Sequence, residues 1–329
     1  MRVLLTGGAG FIGHHTFEHF MKNTEDTVII LEGLNYAGSL SRLTDIELFH
    51  QWQDLGRVII VPHNIQFPFN EYVTHKIGSV DAIIHMAAET HVDRSIENPY
   101  PFVMTNLLGT FNVLEFARSQ IATGLKRFIQ VSTDEVYGPA LTDEFFKETD
   151  RVRPSNPYAA TKAGADDLVY SYFKTYGLPA IVTRTMNNFG ERQHPEKFLM
   201  LTLKALMRNE QVVVHGTPGN IGMRHWLHAR NHADAILFLI AHGNNGEFYH
   251  IVGDELSNLE LADLVASIVH KSLKPKFVDF HACRPGHDRR YAMSDTNLRA
   301  LGWKPPLSLE ESLAKTIQWT LNRPEWLFM

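Results

Sequence analysis

Hydrophobic and polar positions along the chain follow two periods that alternate. Short apolar runs occur at residues 2–5, Thr27–Leu31, Val58–Val61, Asp81–Met86, Phe128–Val131 and Ala180–Arg184. Each is short enough, and rich enough in Val, Ile and Leu, to predict a buried strand. Between them the spacing turns helical: to about Lys22, from about Pro99 to Gln120 with Asn106 and Gly109 inside, and over Tyr158–Tyr176. Pro157 starts that last helix and Gly177 ends it. Strand and helix in alternation imply a parallel sheet with helices on both faces. Beyond Arg184 the pattern becomes irregular. Helices are expected over 195–209, 232–241, 259–270, 294–301 and 309–321, and strands over Val212–Val214 and Phe248–Val252. Ser308 and Glu311 form a capping-box pattern before the last helix.

The first strand stops at Thr6-Gly7-Gly8-Ala9-Gly10-Phe11-Ile12-Gly13. Gly7, Gly10 and Gly13 give a Gly-x-x-Gly-x-x-Gly spacing, a variant of the dinucleotide fingerprint. Such glycines allow a tight turn and a close approach of backbone to a pyrophosphate at the helix N-terminus. The second strand ends in Glu32, about 20 residues on, where a carboxylate accepts hydrogen bonds from ribose hydroxyls and repels a 2′-phosphate. The expected fold is therefore a Rossmann-like, doubly wound parallel sheet with NAD as cofactor. A smaller C-terminal domain is interleaved with it. Residues 1–186 and about 228–254 would form the cofactor domain, and about 187–227 and 255–329 the substrate domain. Ligands bind beyond the carboxyl ends of such strands. The glycine turn, Glu32, Ala87–His91 and Ser132–Glu135 all fall there.

Ser132-Thr133-Asp134-Glu135 follows the fifth strand, and Tyr158-Ala159-Ala160-Thr161-Lys162 opens the long helix. Tyr158 and Lys162, four apart, share a helix face, so the ammonium is expected to lower the phenol pKa. A phenolate can take a proton from a sugar hydroxyl while its carbon loses hydride. An exposed Tyr and a solvated Lys are the plain alternative for this pair taken alone.

Charge and composition narrow the rest. The chain has 329 residues, 44% of them hydrophobic, and a net charge of −5. Nothing in it favours nucleic-acid binding. Cys283 is the only cysteine, which leaves no intramolecular disulfide or thiolate metal cage. The eighteen histidines are scattered without metal-ligand spacing, so no metal is expected. No apolar stretch approaches a membrane span and the N-terminus lacks a leader pattern, so a cytoplasmic location is expected.

With these strings in view the chain resembles an extended short-chain dehydrogenase/reductase, and more narrowly the dTDP-glucose 4,6-dehydratases. The resemblance spans nearly the whole length. It rests on Thr6–Gly13, Ala87–Ile96, Ser132–Gly138, Tyr158–Lys162, Pro195–Lys197 and Arg284–Tyr291. It implies that Tyr158 and Lys162 support oxidation at the sugar C4 and that Thr133 hydrogen-bonds the C4 oxygen. Glu135 would remove the C5 proton, and Asp134 would protonate the departing C6 hydroxyl. Two solvated loop acids are the plain alternative. Both carboxyls can serve only if the strand has ended by Asp134, since neighbours on a strand face opposite ways.

The same resemblance implies that Gly7, Gly10, Phe11, Ile12, Gly13, Glu32, Asn64, Ile65, Ala87, Ala88, Thr90, Asn106, Tyr158 and Lys162 bind NAD. His91, Asn187, Asn188, Lys197, Arg224, Asn258, Arg284 and His287 would hold a nucleoside diphosphate sugar. Arg224 and Arg284 could instead be salt-bridge partners, and Lys197 could simply start a helix. Glu32 stands where the family has Asp, Asn64 where it has Asp, and Glu191-Arg192 where it has Pro-Tyr. Alternatives of other kinds are a nucleotide-sugar 4-epimerase or decarboxylase and a non-catalytic NAD-binding regulator. A homodimer is implied through helices 99–120 and 158–176, with Phe111, Leu114, Leu168 and Tyr172 as candidate contacts; burial in the core would explain some of these equally well.

Glu32 yields a first prediction. The protein should bind NAD in preference to NADP, and equal affinities by calorimetry would remove the ribose role of Glu32.

Overall fold

The computed structural model describes residues 1–35, 38–141, 143–278 and 290–328. Its strands in chain order are β1 (Arg2–Thr6), β2 (Thr27–Glu32), β3 (Val58–Pro62), β4 (Ala82–His85), β5 (Arg127–Thr133), β6 (Ala180–Thr185) and β7 (Asn187–Phe189). There follow β8 (Val212–Thr217), β9 (Asn220–Ile221), β10 (Met223–His228), β11 (Phe248–Ile251), β12 (Asp254–Ser257) and β13 (Pro275–Val278). Seven of them form one sheet in the order β11-β6-β5-β4-β1-β2-β3. Every pairing in it is parallel. The order reverses beside β1, which pairs β2 on one edge and β4 on the other. That is the switch point where a crevice opens in such sheets.

The Rossmann-like expectation is met, and the strands show why. Successive side chains on a strand face opposite ways. Val3 and Leu5, Val28 and Ile30, and Ile129 fill one core, with Phe17, Phe20, Ala235 and Ile236 from helices on that side. Leu4, Ile29, Ile83 and Phe128 fill the other, against Val113, Leu114, Phe116, Val169 and Tyr172. Both faces are covered, so the strands read as continuous apolar runs rather than alternating ones. Burying one Leu, Ile or Phe of this kind stabilises by about 1.5–3 kcal/mol. Leu298 and Trp303, late in the chain, join the first core.

A third core lies apart. Phe189, Leu199, Leu203, Val212, Val214, Trp226, Leu261, Val265, Leu313 and Ile317 compose it. It carries the sheets β12-β10-β7 and β13-β8-β9.

Several elements differ from the sequence reading. Helices Ser41–Thr44, Phe49–Asp54 and Glu71–Ile77 were not expected. They are short, and their helicity comes from packing: Leu43, Phe49 and Trp52 dock in the first core, Val73 and Ile77 in the second. The helix expected from 195 starts at Phe198, because Lys197 is its extended N-cap. The stretch from Pro99 to Gln120 is helical throughout, but Val103–Leu108 winds as a π-helix between α-helical turns. The Ser308–Glu311 capping box is present. Leu114 and Tyr172 are locked in the second core and are not available to a partner chain, whereas Phe111 stays 42% exposed.

Candidate active site

The site is built from the carboxyl ends of the central strands. Register fixes them in two steps: Thr6 pairs with Leu31 and with His85, and β5 and β6 run further, to Thr133 beside Thr185. After Thr6 the chain turns at Gly7, whose φ of 72° suits glycine. A Cβ on Gly7 would lie 2.9 Å from Ala87, and one on Gly13 would lie 2.0 Å from the Gly7 carbonyl oxygen. The glycines are thus required by close packing of turn, strand end and helix. The helix Phe11–Asn23 begins at Gly10 with no capping side chain and no acidic residue in its first turn. Its first N–H groups and its positive dipole end suit a pyrophosphate.

Glu32 lies beside this turn. Its Oε2 accepts from Ala9 N at 2.9 Å and its Oε1 from Leu34 N at 3.1 Å. A carboxylate has about four acceptor positions, so ribose hydroxyls can still be bound. Asn64 follows β3, and its Oδ1 accepts from Gln66 N at 3.0 Å. Ile65 packs into the second core, and its carbonyl accepts from Asn112. Ala87 and Ala88 follow β4; Ala87 N donates to Thr6 Oγ1 at 3.1 Å. Asn106, in the π-helical stretch, clamps Glu89 by both peptide groups, at 2.9 and 3.0 Å, and donates to Thr161. Thr90 is exposed beside that clamp.

The reacting groups cluster where β5 ends. The strand stops at Thr133, and Asp134–Tyr137 form a 3-10 turn, so Asp134 and Glu135 leave the strand's alternation. Thr133 Oγ1 donates to Asp134 Oδ1 at 3.0 Å and accepts from Glu135 N at 3.3 Å. Thr133 also pulls the Tyr158 phenol down, against its burial. Burial pushes the Asp134 carboxyl up to about 6, against the lowering pull of Thr133 and Arg224. Asn156 donates to Glu135 Oε2 at 3.0 Å, and the Tyr291 hydroxyl lies 3.5 Å from the same oxygen.

Tyr158 and Lys162 share the inner face of the helix Pro157–Tyr176. The expected lowering of the phenol pKa is not what this structure shows. Burial, then the charge of Glu135, push Tyr158 well above its ordinary value. Loss of hydration outweighs the cation, since Lys162 is turned to the Val131 carbonyl at 2.7 Å. Burial brings Lys162 down to about 8, while Asp166 pulls it up. Asp166 in turn accepts from Arg184 Nε at 3.1 Å. Asp166 and Arg184 are buried ionic groups beneath the site that the sequence reading did not single out.

The residues expected to hold substrate lie across the crevice, mostly on the second lobe. His91 caps Val92–Glu97. Asn187 and Asn188 form β7, and the Asn188 amide donates to Thr185 and to the Met186 carbonyl. Lys197 caps Phe198–Met207 and pairs with Glu196 at 3.6 Å. Arg224, on β10, stacks over Tyr291 with its guanidinium 5.0 Å from the ring and exerts its charge on Asp134. It faces the site, unlike a plain surface pair. Asn258 opens the helix Asn258–Ile268, whose N-cap is Ser257. Arg284 and His287 lie outside the described residues. The unusual Glu191-Arg192 pair makes a seam between lobes: Glu191 accepts from His228 at 3.1 Å and Arg192 donates to Asp45 at 2.6 Å. Asn156 and Tyr291 were the functional contacts missed; a Pro at the first helical position marks its predecessor as a capping residue.

Nearly the whole length of the chain is similar to known proteins. Residues 4–316 match the sequence family described as GDP-mannose 4,6 dehydratase. The dTDP-glucose 4,6-dehydratase of Salmonella typhimurium is 39% identical, covering 99% of this chain and 94% of that protein. The low-salt glycan biosynthesis protein Agl12 of Haloferax volcanii is 40% identical over 99% of this chain and 100% of its own. The crystal structure of DesIV, the dTDP-glucose 4,6-dehydratase of Streptomyces venezuelae with NAD and TYD bound, superposes with a TM-score of 0.88 at 35% identity, covering 99% of this chain and 98% of that one.

The buried Asp134 supplies a pH test. Its pKa is raised from 3.8 to about 6 on folding, so its linked stability is present below pH 4 and lost as pH rises through 6. Two units correspond to about 3 kcal/mol at most. Asp134→Asn should therefore be more stable than wild type at pH 8, by about 1–3 kcal/mol in urea denaturation, with the gain vanishing near pH 4. Equal stability at pH 8 would mean that Asp134 bears no burial penalty.

Proposed function

The chain belongs to the GDP-mannose 4,6 dehydratase family, and from that premise we propose that it is an NAD-dependent nucleotide-sugar 4,6-dehydratase. Its proposed substrate is an NDP-glucose, dTDP-glucose first, which it converts to the 4-keto-6-deoxy sugar. The observation that carries this reading is the turn Thr133-Asp134-Glu135 set against Tyr158, with both acids released from the strand's alternation. A 4-epimerase on this scaffold needs Tyr158 and Lys162 but not two neighbouring acids. A silent NAD-binding regulator would need neither pair.

Each residue then has a proton task. Tyr158 takes the proton of the C4 hydroxyl, with Thr133 holding that oxygen. NAD, held by the glycine turn and Glu32, would supply the hydride acceptor for C4 and the hydride donor for C6, and its oxidised ring would add the positive charge that a buried phenolate needs. The C5 hydrogen, now next to a carbonyl, passes as a proton to Glu135. Asp134 gives a proton to the C6 hydroxyl, which leaves as water. Glu135 returns a proton to C5 as hydride reaches C6, so the substrate loses one water and nothing else; the proton that Tyr158 took replaces the one that Asp134 gave, and the enzyme is restored. Two adjacent carboxyls with opposite duties need different environments. Burial keeps Asp134 inclined to hold its proton, whereas Glu135 is half-buried and faces neutral donors. Arg224 is assigned to the substrate pyrophosphate, for which a guanidinium fork is suited.

The proposed lobes follow the cores, with the cofactor held by the seven-stranded sheet and the sugar nucleotide between it and the third core. We also place the protein in the cytoplasm and pair it as a homodimer. Among the described residues no helix is long and apolar enough to cross a membrane. Tyr100, Val103, Leu108 and Phe111 on one helical stretch and Tyr170 on the other are exposed apolar side chains. Two copies could bury them isologously.

Incubation with dTDP-glucose should give the alkaline absorbance of a 4-keto-6-deoxy sugar. Tyr158→Phe should stop every step and leave the cofactor oxidised. Glu135→Gln should permit oxidation, accumulate NADH and lower turnover by roughly 10²–10⁴-fold. Normal turnover by Glu135→Gln would refute its assignment and favour an epimerase.

Light scattering at micromolar concentration should report a dimer, and Phe111→Asp should yield monomers. A monomeric wild type would remove the pairing.

A further inference from the structure

The first turn of the helix that carries Tyr158 and Lys162 accounts for each of its early N–H groups in a different way. Pro157, its first residue, has no N–H. Tyr158 N donates to Ser95 Oγ at 3.2 Å. Ala159 N donates to Asn156 Oδ1 at 2.8 Å. Asn156 is therefore the N-cap, with extended backbone at φ −141° and ψ 163°. Ser, Thr and Asp cap helices about as well as Asn. None of them can do the second thing this side chain does. The other end of the same amide donates from Nδ2 to Glu135 Oε2 at 3.0 Å. The amide's orientation follows from its partners, since one is a backbone donor and the other a carboxylate acceptor.

We infer that Asn156 is a positioning residue that ties the Glu135 carboxylate to the start of the Tyr158 helix, so that the two proton acceptors keep a fixed relation. This rests on the dehydratase reading, which gives Glu135 the C5 proton. Because the amide is planar, Oδ1 and Nδ2 cannot move independently. Turning the group away to release Glu135 also uncaps the helix. Asn156 is itself buried, so neither bond competes freely with water. A hydrogen bond to an ionised acceptor is about twice as strong as a neutral pair. It favours Glu135 as carboxylate, the form that can accept the C5 proton. Among the described residues the titratable groups around Glu135 include Asp134 on its own turn, Tyr158 from the helix and Tyr291 from the second lobe, with Arg224 stacked on Tyr291 and acting on Asp134. Asn156 supplies a donor among them that does not titrate.

Two variants separate the amide's tasks. Asn156→Ser keeps a capping oxygen but is too short to reach Glu135. Asn156→Asp keeps the cap and sets a second carboxylate against Glu135. Both should melt near the wild type. With dTDP-glucose, Asn156→Ser should form NADH within about twofold of the wild-type rate. Its product formation and its solvent-deuterium exchange at C5 should each fall roughly 10-fold or more. Asn156→Asp should lose more, with the acid limb of its pH–rate profile displaced to higher pH because a like charge disfavours ionisation of Glu135. Parallel loss of oxidation and elimination in Asn156→Ser, or wild-type behaviour of both variants, would overturn the inference. If the wild type itself forms neither NADH nor product, the dehydratase reading fails. Carbon-13 titration of the Glu135 carboxyl, assigned with Glu135→Gln, then decides the contact alone. An upward displacement in both variants supports it, and an unmoved titration overturns it.

Discussion

The alignment of strand ends is the constraint on which everything else depends. Three of the parallel strands stop near one level because Thr6 is in register with both Leu31 and His85, while β5 runs on past Gln130, the partner of His85, to end beside β6 at Thr133 and Thr185. A slip of one residue on any of them would turn its apolar set to the opposite core. The two cores therefore hold the register, and the register delivers a glycine turn, a carboxylate, a clamped loop and the reacting acids to one rim. No side chain in the crevice needs to steer its own strand there.

That dependence explains what could be read from sequence. The strands of the main sheet were legible because each is a dense run of Val, Ile and Leu. The glycine turn and Glu32 were legible because they follow such runs at fixed spacing. The helices Ser41–Thr44 and Phe49–Asp54 were not, since a few residues anchored by Leu43, Phe49 and Trp52 leave no lasting period. The strands β12 and β13 were missed because they are four residues long and half exposed. Within the site, residue types were legible and their surroundings were not. Adjacent Tyr158 and Lys162 gave the sign of an expected pKa change, yet burial reversed it. Periodicity says which face a residue occupies, but not how dry that face is.

Dryness has a stability cost that is spread through the site. Asp134, Lys162, Asp166 and Arg184 are all buried. Burial pushes Asp134 and Asp166 up and Lys162 down, each toward its uncharged form. Arg184 offsets part of this for Asp166, and donates also to Tyr137. The hydroxyl of Tyr137 meets His250, which burial lowers to about 3 and so keeps neutral. A chain of polar groups thus runs from beneath the helix to the far edge strand. Removing one member would leave its neighbour with an unpaired buried group, which is more costly than the contact itself is worth.

The π-helical stretch Val103–Leu108 takes up an extra residue within one continuous helix. Its wider winding lets Asn106 reach Glu89 and Thr161 inward, while Val103, Leu108 and Phe111 look outward. Deleting one residue there would allow ordinary α-winding and leave the phase of all that follows nearly unchanged, because a stretch of i→i+5 helix turns about as far as an α-helix one residue shorter. Val113 and Leu114 would stay in the core, and the loss would fall on the Asn106 clamp. This segment is therefore where the helix can shorten by one residue over evolutionary time without moving the core, and a homologous chain that lacks the extra residue is expected to lack the Asn106 clamp as well.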